Sequence, residues 1–376
     1  GLVVFQFMIA ITLVCGMIVI SQQLNYMQEK DLGFNAAAKI VLPLRTKSAQ
    51  DQYTALKNQL EINSSIEQAA GAEYIPGSPI YSDMNFYGEG GTMDNAVLHR
   101  RNTVDAGYIS LLGIKLIAGR NFSDNPGSEA ENNIIVNRAS VTKLGFTPEQ
   151  IVGQSLYFDW QGTKYTFQVI GVMEDYHQTS LKESINPTIF EIATEEQEFP
   201  YLIASITTTN FSETTALLEK TWKALVTDTP FEYYFLEENI QKQYSEDRKV
   251  SQIITAFTII AMIICSLGLY GLSTYMAERR FKEIGVRKVM GASISQIVTM
   301  MSKEFVRLVL FALVISVPLA WYMMNQWLSS FAYHVPLSFT IFIYAGASAL
   351  LIALITVSFE SIKAASANPV NSLRTE

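Results

Sequence analysis

Residues that could do covalent chemistry are few and scattered in this chain. The three histidines, His99, His177 and His334, stand far apart, with no Cys-rich or His-x₃₋₅-His spacing of the kind a metal needs. Glu174-Asp175-Tyr176-His177 joins carboxylates to an imidazole, the raw material of acid–base work or of a metal site. Standing alone, that run reads as a structural or surface element. Cys15 and Cys265 both fall in long apolar runs, so the segment between those runs has no disulfide framework. No Gly-x₄-Gly-Lys-Ser/Thr loop is present, so no nucleotide is bound by that route. Asn63, Asn121 and Asn210 open glycosylation sequons, which matter only in a secretory-pathway cell. Neither a catalytic residue, a metal ligand nor a cofactor is predicted.

The informative chemistry is that of a docking surface. Ala277–Arg307 carries seven basic residues, Arg279, Arg280, Lys282, Arg287, Lys288, Lys303 and Arg307, against Glu278, Glu283 and Glu304. Within it, Ala277–Glu304 reads as two short helices with a break. Phe281, Ile284 and Lys288 share one side of the first. Gly291 stands where a glycine would end it, and Ser293 is an N-cap whose capping-box partner is Gln296. Ile294, Ile297, Val298 and Met301 follow at helical spacing. Anionic lipid would ask only for flexible basic residues. The capped helices, the central Gly285 and the interleaved Phe281, Ile284, Val289 and Met290 suit a folded face for a protein partner.

The elements that must position this stretch are apolar. The chain of 376 residues is 49% hydrophobic, with a mean hydropathy of +0.18. The excess is concentrated in residues 1–21, 253–275, 308–324 and 338–359. Each is close to the ~20 residues that cross a bilayer, and none holds a Lys, Arg, Asp or Glu. The expected fold class is therefore a membrane protein of four transmembrane α-helices. The basic loop, 276–307, should face the cytoplasm, because the other short loop, 325–337, has no Lys or Arg. That puts 22–252 outside and both ends, including the tail 360–376, inside. The outer segment holds 18 Lys and Arg against 30 Asp and Glu, a net charge of −12, which argues against a nucleic-acid partner. Spans without buried ionisable groups also argue against a secondary transporter.

The outer segment is expected to be a large α+β domain between spans 1 and 2. Lys39–Leu44 and Ile66–Tyr74 read as strands around a helix capped by Ser48. Tyr201–Thr207 and Phe231–Phe235 read as strands around a helix capped by Ser212. These two β-α-β units would form one subdomain beside the membrane. Residues 76–200, with short β-like runs at Ala96–Arg101, Asn133–Val136, Ser155–Trp160 and Lys164–Val172, would form an inserted, mainly β subdomain. Glu237–Val250 lacks Gly and Pro and should continue unbroken into the second span as a rod ~50–60 Å long. Small residues at Gly268, Gly271, Ala345, Gly346 and Ala349 should let spans approach closely, and Pro318 should kink the third span.

Lys282-Glu283-Ile284-Gly285-Val286-Arg287-Lys288-Val289-Met290-Gly291-Ala292-Ser293 resembles the signature of FtsX/MacB-type ABC transporter permeases, with Val286 and Met290 where the family prefers Ile and Leu. Similarity to the group found in Bacteroidetes-like bacteria extends to Lys30-Asp31-Leu32-Gly33-Phe34, Ala118-Gly119-Arg120-Asn121-Phe122-Ser123, residues 169–177, Cys265–Leu272 and Ala367-Asn368-Pro369-Val370. The resemblance implies a permease subunit that is not itself an enzyme, a separate cytoplasmic ABC ATPase, a dimer of four-span units, and in some systems a periplasmic adaptor and outer-membrane channel. It implies an inner-membrane location and a lever mechanism in which ATPase closure moves the loop. Under it, Phe281, Ile284, Gly285, Val289 and Met290 would enter a groove on the ATPase, with Glu283, Arg287 and Lys288 as rim and Lys282 and Gly291 within the same coupling element. Gly1 opens on an apolar run with no basic flank, too long for a signal-peptide core, so the numbering is expected to start inside a longer polypeptide, as the second half of a duplicated permease would. The alternative is an FtsX-like regulator that transmits an ATPase cycle to an extracytoplasmic cell-wall hydrolase.

Overall fold

The computed structural model describes residues 1–123, 132–193, 198–207 and 211–366. Asn210 and the tail from residue 367 lie outside them. Helix α1 (Leu2–Glu29) leads into β1 (Lys39–Pro43), α2 (Lys47–Asp51), α3 (Tyr53–Glu61) and β2 (Ile66–Ala72). Next come β3 (Asp83–Phe86), β4 (Val97–Val104), α4 (Tyr108–Leu111), β5 (Leu116–Gly119), β6 (Asn133–Asn137), α5 (Arg138–Leu144) and α6 (Pro148–Ile151). Then follow β7 (Ser155–Trp160), β8 (Thr163–Met173), β9 (Thr188–Ile192), β10 (Tyr201–Ile206), α7 (Phe211–Leu225), β11 (Tyr234–Phe235) and α8 (Leu236–Lys242). The chain closes with α9 (Ser245–Arg279), α10 (Phe281–Val289), α11 (Ile294–Leu328) and α12 (Phe339–Ser366). Two units result: Lys30–Tyr244, and Gly1–Glu29 together with the chain from Ser245.

Among the described residues, α1, α9, α11 and α12 are the four helices long and apolar enough to cross a membrane. Their shared core holds Phe7, Ile11, Phe305, Val309, Ala312, Phe342 and Ala345. Hydroxyls sit where the spans meet: Thr258 donates to the Ile254 carbonyl of its own helix at 2.7 Å and lies 3.3 Å from that of Leu13, and Ser316 donates to that of Ala312 at 2.7 Å and lies 3.2 Å from that of Met8. The small-residue expectation divides. A Cβ on Gly268 would meet Gln6 Oε1 at 2.7 Å and one on Gly346 would meet Leu313 at 2.6 Å, whereas Gly271 faces open space. Helix α11 remains helical through Pro318. The first span runs on to Glu29, and buried Gln23 clamps the loop after α11, donating to the Tyr333 carbonyl at 3.0 Å and accepting from the Val335 amide at 2.9 Å. Glu360, just past the expected end of the last span, is buried in α12 with Lys363 Nζ 3.7 Å away.

In the other unit the two β-α-β units interleave. The sheet order begins β11-β1-β10-β2, every neighbouring pair antiparallel. This is the split β-α-β arrangement of ferredoxin-like folds. Ile40↔Ala204 and Leu42↔Leu202 set the register, and these side chains share a core with Leu56, Leu60, Leu218 and Trp222 of the covering helices. Residues 76–200 enter between β2 and β10. They build a second core around Phe86, Ile134, Val136, Leu156, Val169 and Ile189, yet continue the same sheet as β4-β9-β6-β8-β5. The seam is one Cα pairing, Ala72↔Val104. Asp105 reinforces it, accepting from Lys57 Nζ at 2.8 and 3.0 Å and from the Tyr53 hydroxyl.

Several local expectations are corrected. The first helix is capped by Thr46, whose side chain accepts from the Ala49 amide, and it breaks at Gln52 instead of running from Ser48 to Leu60. Ser212 lies inside α7. Strand β11 is limited to Tyr234–Phe235, the two residues that pair with β1, while Phe231 stacks on Tyr233 and packs beside Trp222. The rod is not continuous. Gln243 and Tyr244 close α8 with amides bonded three residues back, to the Ile240 and Gln241 carbonyls. Buried Tyr244 accepts from the Leu181 amide at 3.3 Å. A new helix then starts at Ser245, with Glu246 and Asp247 in its first turn where acidic groups suit the dipole.

Candidate coupling surface

Helix α9 ends at Arg279, and Arg280 turns the chain into α10 with φ −100° and ψ 12°. The end of α10 is a Schellman motif: the Gly291 amide donates to the Lys288 carbonyl at 3.1 Å and the Ala292 amide to that of Arg287 at 2.9 Å. Gly291 adopts φ +93°, a conformation that costs a side-chain-bearing residue. Ser293 then caps α11 as expected, its Oγ taking the Gln296 amide at 3.3 Å while its own amide donates to Gln296 Oε1 at 3.0 Å. The second helix is not short. It is the first part of a 35-residue helix that runs on into the third span.

Ala277 of α9, Ile284 of α10, and Ile297 and Met301 of α11 form a small core inside this elbow. Arg280 pairs with Glu304 at 2.6 Å, tying the first turn to α11. Arg287 pairs with Glu283 at 2.8 Å and lies against the Met300 sulfur.

This packing divides the residues expected to enter an ATPase groove. Ile284 and Gly285 are buried in the chain's own interior, and Phe281 and Lys288 are half-buried. Val289 and Met290 are open, 65% and 83% exposed. Val286, outside the expected set, shares their helical face and is exposed as well, and Ile294 at the start of α11 is a further exposed apolar side chain. Lys282, Glu283 and Arg287 are exposed around that face. Val286 carried a signal in its phase: with the expected Val289 and Met290 it falls on one helical face, opposite Ile284.

The acid–base candidate is structural. Glu174 takes Arg138 bidentately, at 2.6 and 2.9 Å, which holds its carboxyl below the usual range. Asp175 Oδ1 accepts the Ala139 amide at 2.9 Å. Tyr176 packs edge-on against Phe34 at 5.9 Å, and the His177 amide donates to the Leu32 carbonyl at 2.8 Å. Residues 30–34 and 174–177, separate in sequence, thus form one packed contact. Burial, and then Lys30, pull His177 below its ordinary pKa. Burial pulls His99 down to about 4. Among the described residues no group of His, Cys, Asp and Glu could hold a metal ion.

Residues 255–369 match the family described as FtsX-like permease C-terminal. Residues 2–213, more than half of the chain, match the MacB-like periplasmic core domain. The chain belongs to the FtsX/MacB-type permeases. Permeases of this family are ABC transporter subunits that work with a cytoplasmic ATPase, and the four apolar helices make this permease a multi-pass inner-membrane protein. Its signature-like stretch, 282–293, is the elbow. Among solved structures, the periplasmic region of MacB from Actinobacillus actinomycetemcomitans is 14% identical with a TM-score of 0.42, covering 58% of this chain and 98% of that one. The extracellular domain of the noncanonic ABC-type transporter YknZ from Gram-positive bacteria is 12% identical, with a TM-score of 0.36 and coverages of 52% and 97%. A domain of a putative permease protein from Porphyromonas gingivalis is 14% identical, with a TM-score of 0.36 and coverages of 53% and 90%. A comparison with curated protein sequences yields no match.

Proposed function

We propose that this permease couples ATP hydrolysis by a separate cytoplasmic ATPase to movement of the domain between its first two spans, driving export or extraction of a substrate. The observation that carries the reading is the exposed apolar ridge of Val286, Val289 and Met290 on a capped, internally packed elbow. A lipid-facing loop has no need of that internal core. The ridge would enter the ATPase groove, Lys282, Glu283 and Arg287 would line its rim, and Ile284 and Gly285 would hold the elbow rigid behind it. Helices α9 and α11, 35 residues each and about 52 Å long at 1.5 Å per residue, would carry the stroke. In this reading the elbow and both chain ends face the cytoplasm, residues 22–252 are periplasmic, and two four-span units pair. A periplasmic adaptor and an outer-membrane channel would complete an export path.

Val289→Asp and Met290→Asp test the reading. Each places a charge at the centre of the ridge without touching the elbow core. Loss of a central interface anchor costs about 2 kcal/mol or more, so ATPase co-purification from membranes should fall about 30-fold while permease abundance stays constant. Unchanged ATPase binding in both variants would refute it.

A further inference from the structure

The domain between the spans contains a cleft that the coupling role leaves unused. It is an open cleft whose space, continuous with solvent at the mouth, comes to about 510 Å³. Its walls come from the loop after β2, from β4, and from the loop between β8 and β9.

One wall is braced. Gln178 donates to the Ile75 and Ser78 carbonyls at 2.7 and 2.8 Å and accepts the Tyr176 hydroxyl at 2.6 Å. The Arg100 amide fixes the Pro187 carbonyl at 2.7 Å. The cleft is therefore held open by polar groups that are already satisfied.

Other groups on the walls retain hydrogen-bonding capacity. Arg100 gives one N–H to Asp83, at 3.0 Å, and a guanidinium has five. Glu183 accepts from Thr179 through Oε2 at 2.8 Å, which leaves Oε1 for another donor. The exposed Ser184 hydroxyl and Asn186 amide stand on the same lining, and buried Ile80 with half-buried Ile185 supplies apolar surface.

We propose that this cleft binds a small zwitterion, an amino acid or dipeptide with an apolar side chain, its carboxylate taken by Arg100, its ammonium by Glu183 and its side chain by Ile80 and Ile185. The lining offers one fork of donors, one carboxylate and a patch of apolar surface, which is the complement of such a ligand. A fork of N–H donors matches a carboxylate in geometry as well as charge. Burial, and then Lys30, disfavour the charged form of His177 on the same lining. The site stands whether or not the elbow docks an ATPase.

The test is calorimetric titration of the full chain in lipid nanodiscs with the dipeptide Leu-Leu, against N-acetyl-Leu-Leu-amide, which lacks both charges. Wild type should bind Leu-Leu saturably and the blocked peptide at least about tenfold more weakly, the worth of one charged hydrogen bond. Glu183→Gln and Arg100→Gln should each weaken Leu-Leu about tenfold, and N-acetyl-Leu-Leu should not distinguish Glu183→Gln from wild type. Ser184→Trp, which keeps both charges and fills the mouth, should abolish binding and so covers the case in which Arg100→Gln disturbs the Asp83 pair. No binding of Leu-Leu at millimolar concentration, equal binding of the blocked peptide, or unaltered binding by Ser184→Trp would overturn the proposal.

Discussion

Ile284→Ala and Met290→Ala should separate the inside of the elbow from its outside. Ile284 is 3% exposed and packs on Ala277, Ile297 and Met301. Truncating a buried Ile costs about 2–5 kcal/mol. The flexible side chains of Met300 and Met301 can partly refill the space, so the low end, about 2 kcal/mol, is the figure to expect. If α10 opens as a local unit, its amides should exchange about 30-fold faster, since 1.4 kcal/mol is tenfold. Met290 is 83% exposed, and truncation there should alter stability by less than about 0.5 kcal/mol, an exchange change of about twofold. Hydrogen–deuterium exchange of peptides spanning 281–291, with the full chain in nanodiscs, reads both numbers. Equal protection in the two variants, or faster exchange in Met290→Ala, would show that the assignment of buried and open faces is wrong.

The remaining predictions concern the rest of the chain. His99 has a folded pKa of about 4, below the ~6.5 of an unfolded histidine. The unfolded state then binds the extra proton, so stability is fully present above pH ~6.5 and falls by up to about 3 kcal/mol as pH drops toward 4. Urea unfolding of the domain at stepped pH should show this slope, and His99→Leu should flatten it. Asp105→Ala leaves Lys57 and the Tyr53 hydroxyl without their shared acceptor at the seam, and urea unfolding should register a loss of about 3 kcal/mol. Gln23→Leu removes the bonds from Gln23 to the Tyr333 carbonyl and from the Val335 amide to Gln23, and limited proteolysis between residues 329 and 338 should quicken about tenfold.

What could be read from the amino-acid order was whatever depends on near neighbours. The spans follow from apolar length, and the elbow's ends follow from Gly291 and from the Ser293–Gln296 pair, because caps are made within a few residues. Nothing local marks the break at Gln243–Tyr244. It has no Gly or Pro, and buried Tyr244 is held by a long-range bond from the Leu181 amide. The interleaving of the two β-α-β units was equally hidden, since which strand lies beside β1 is decided by contacts more than 160 residues apart, as in Ile40↔Ala204. In the elbow, both Ile284 and the Val286–Val289–Met290 face are apolar at helical spacing. Only the positions of Ile297 and Met301 decide which face turns inward.

The account depends on the ridge meeting an ATPase on the cytoplasmic side. Met290→Cys allows that to be measured directly, since Cys15 and Cys265, the native thiols, are both buried. In intact cells the new thiol should resist a membrane-impermeant reagent, and in inverted vesicles a thiol-directed photocrosslinker attached to it should capture the ABC ATPase. Labelling from outside the cell, or crosslinks to lipid alone, would contradict the account.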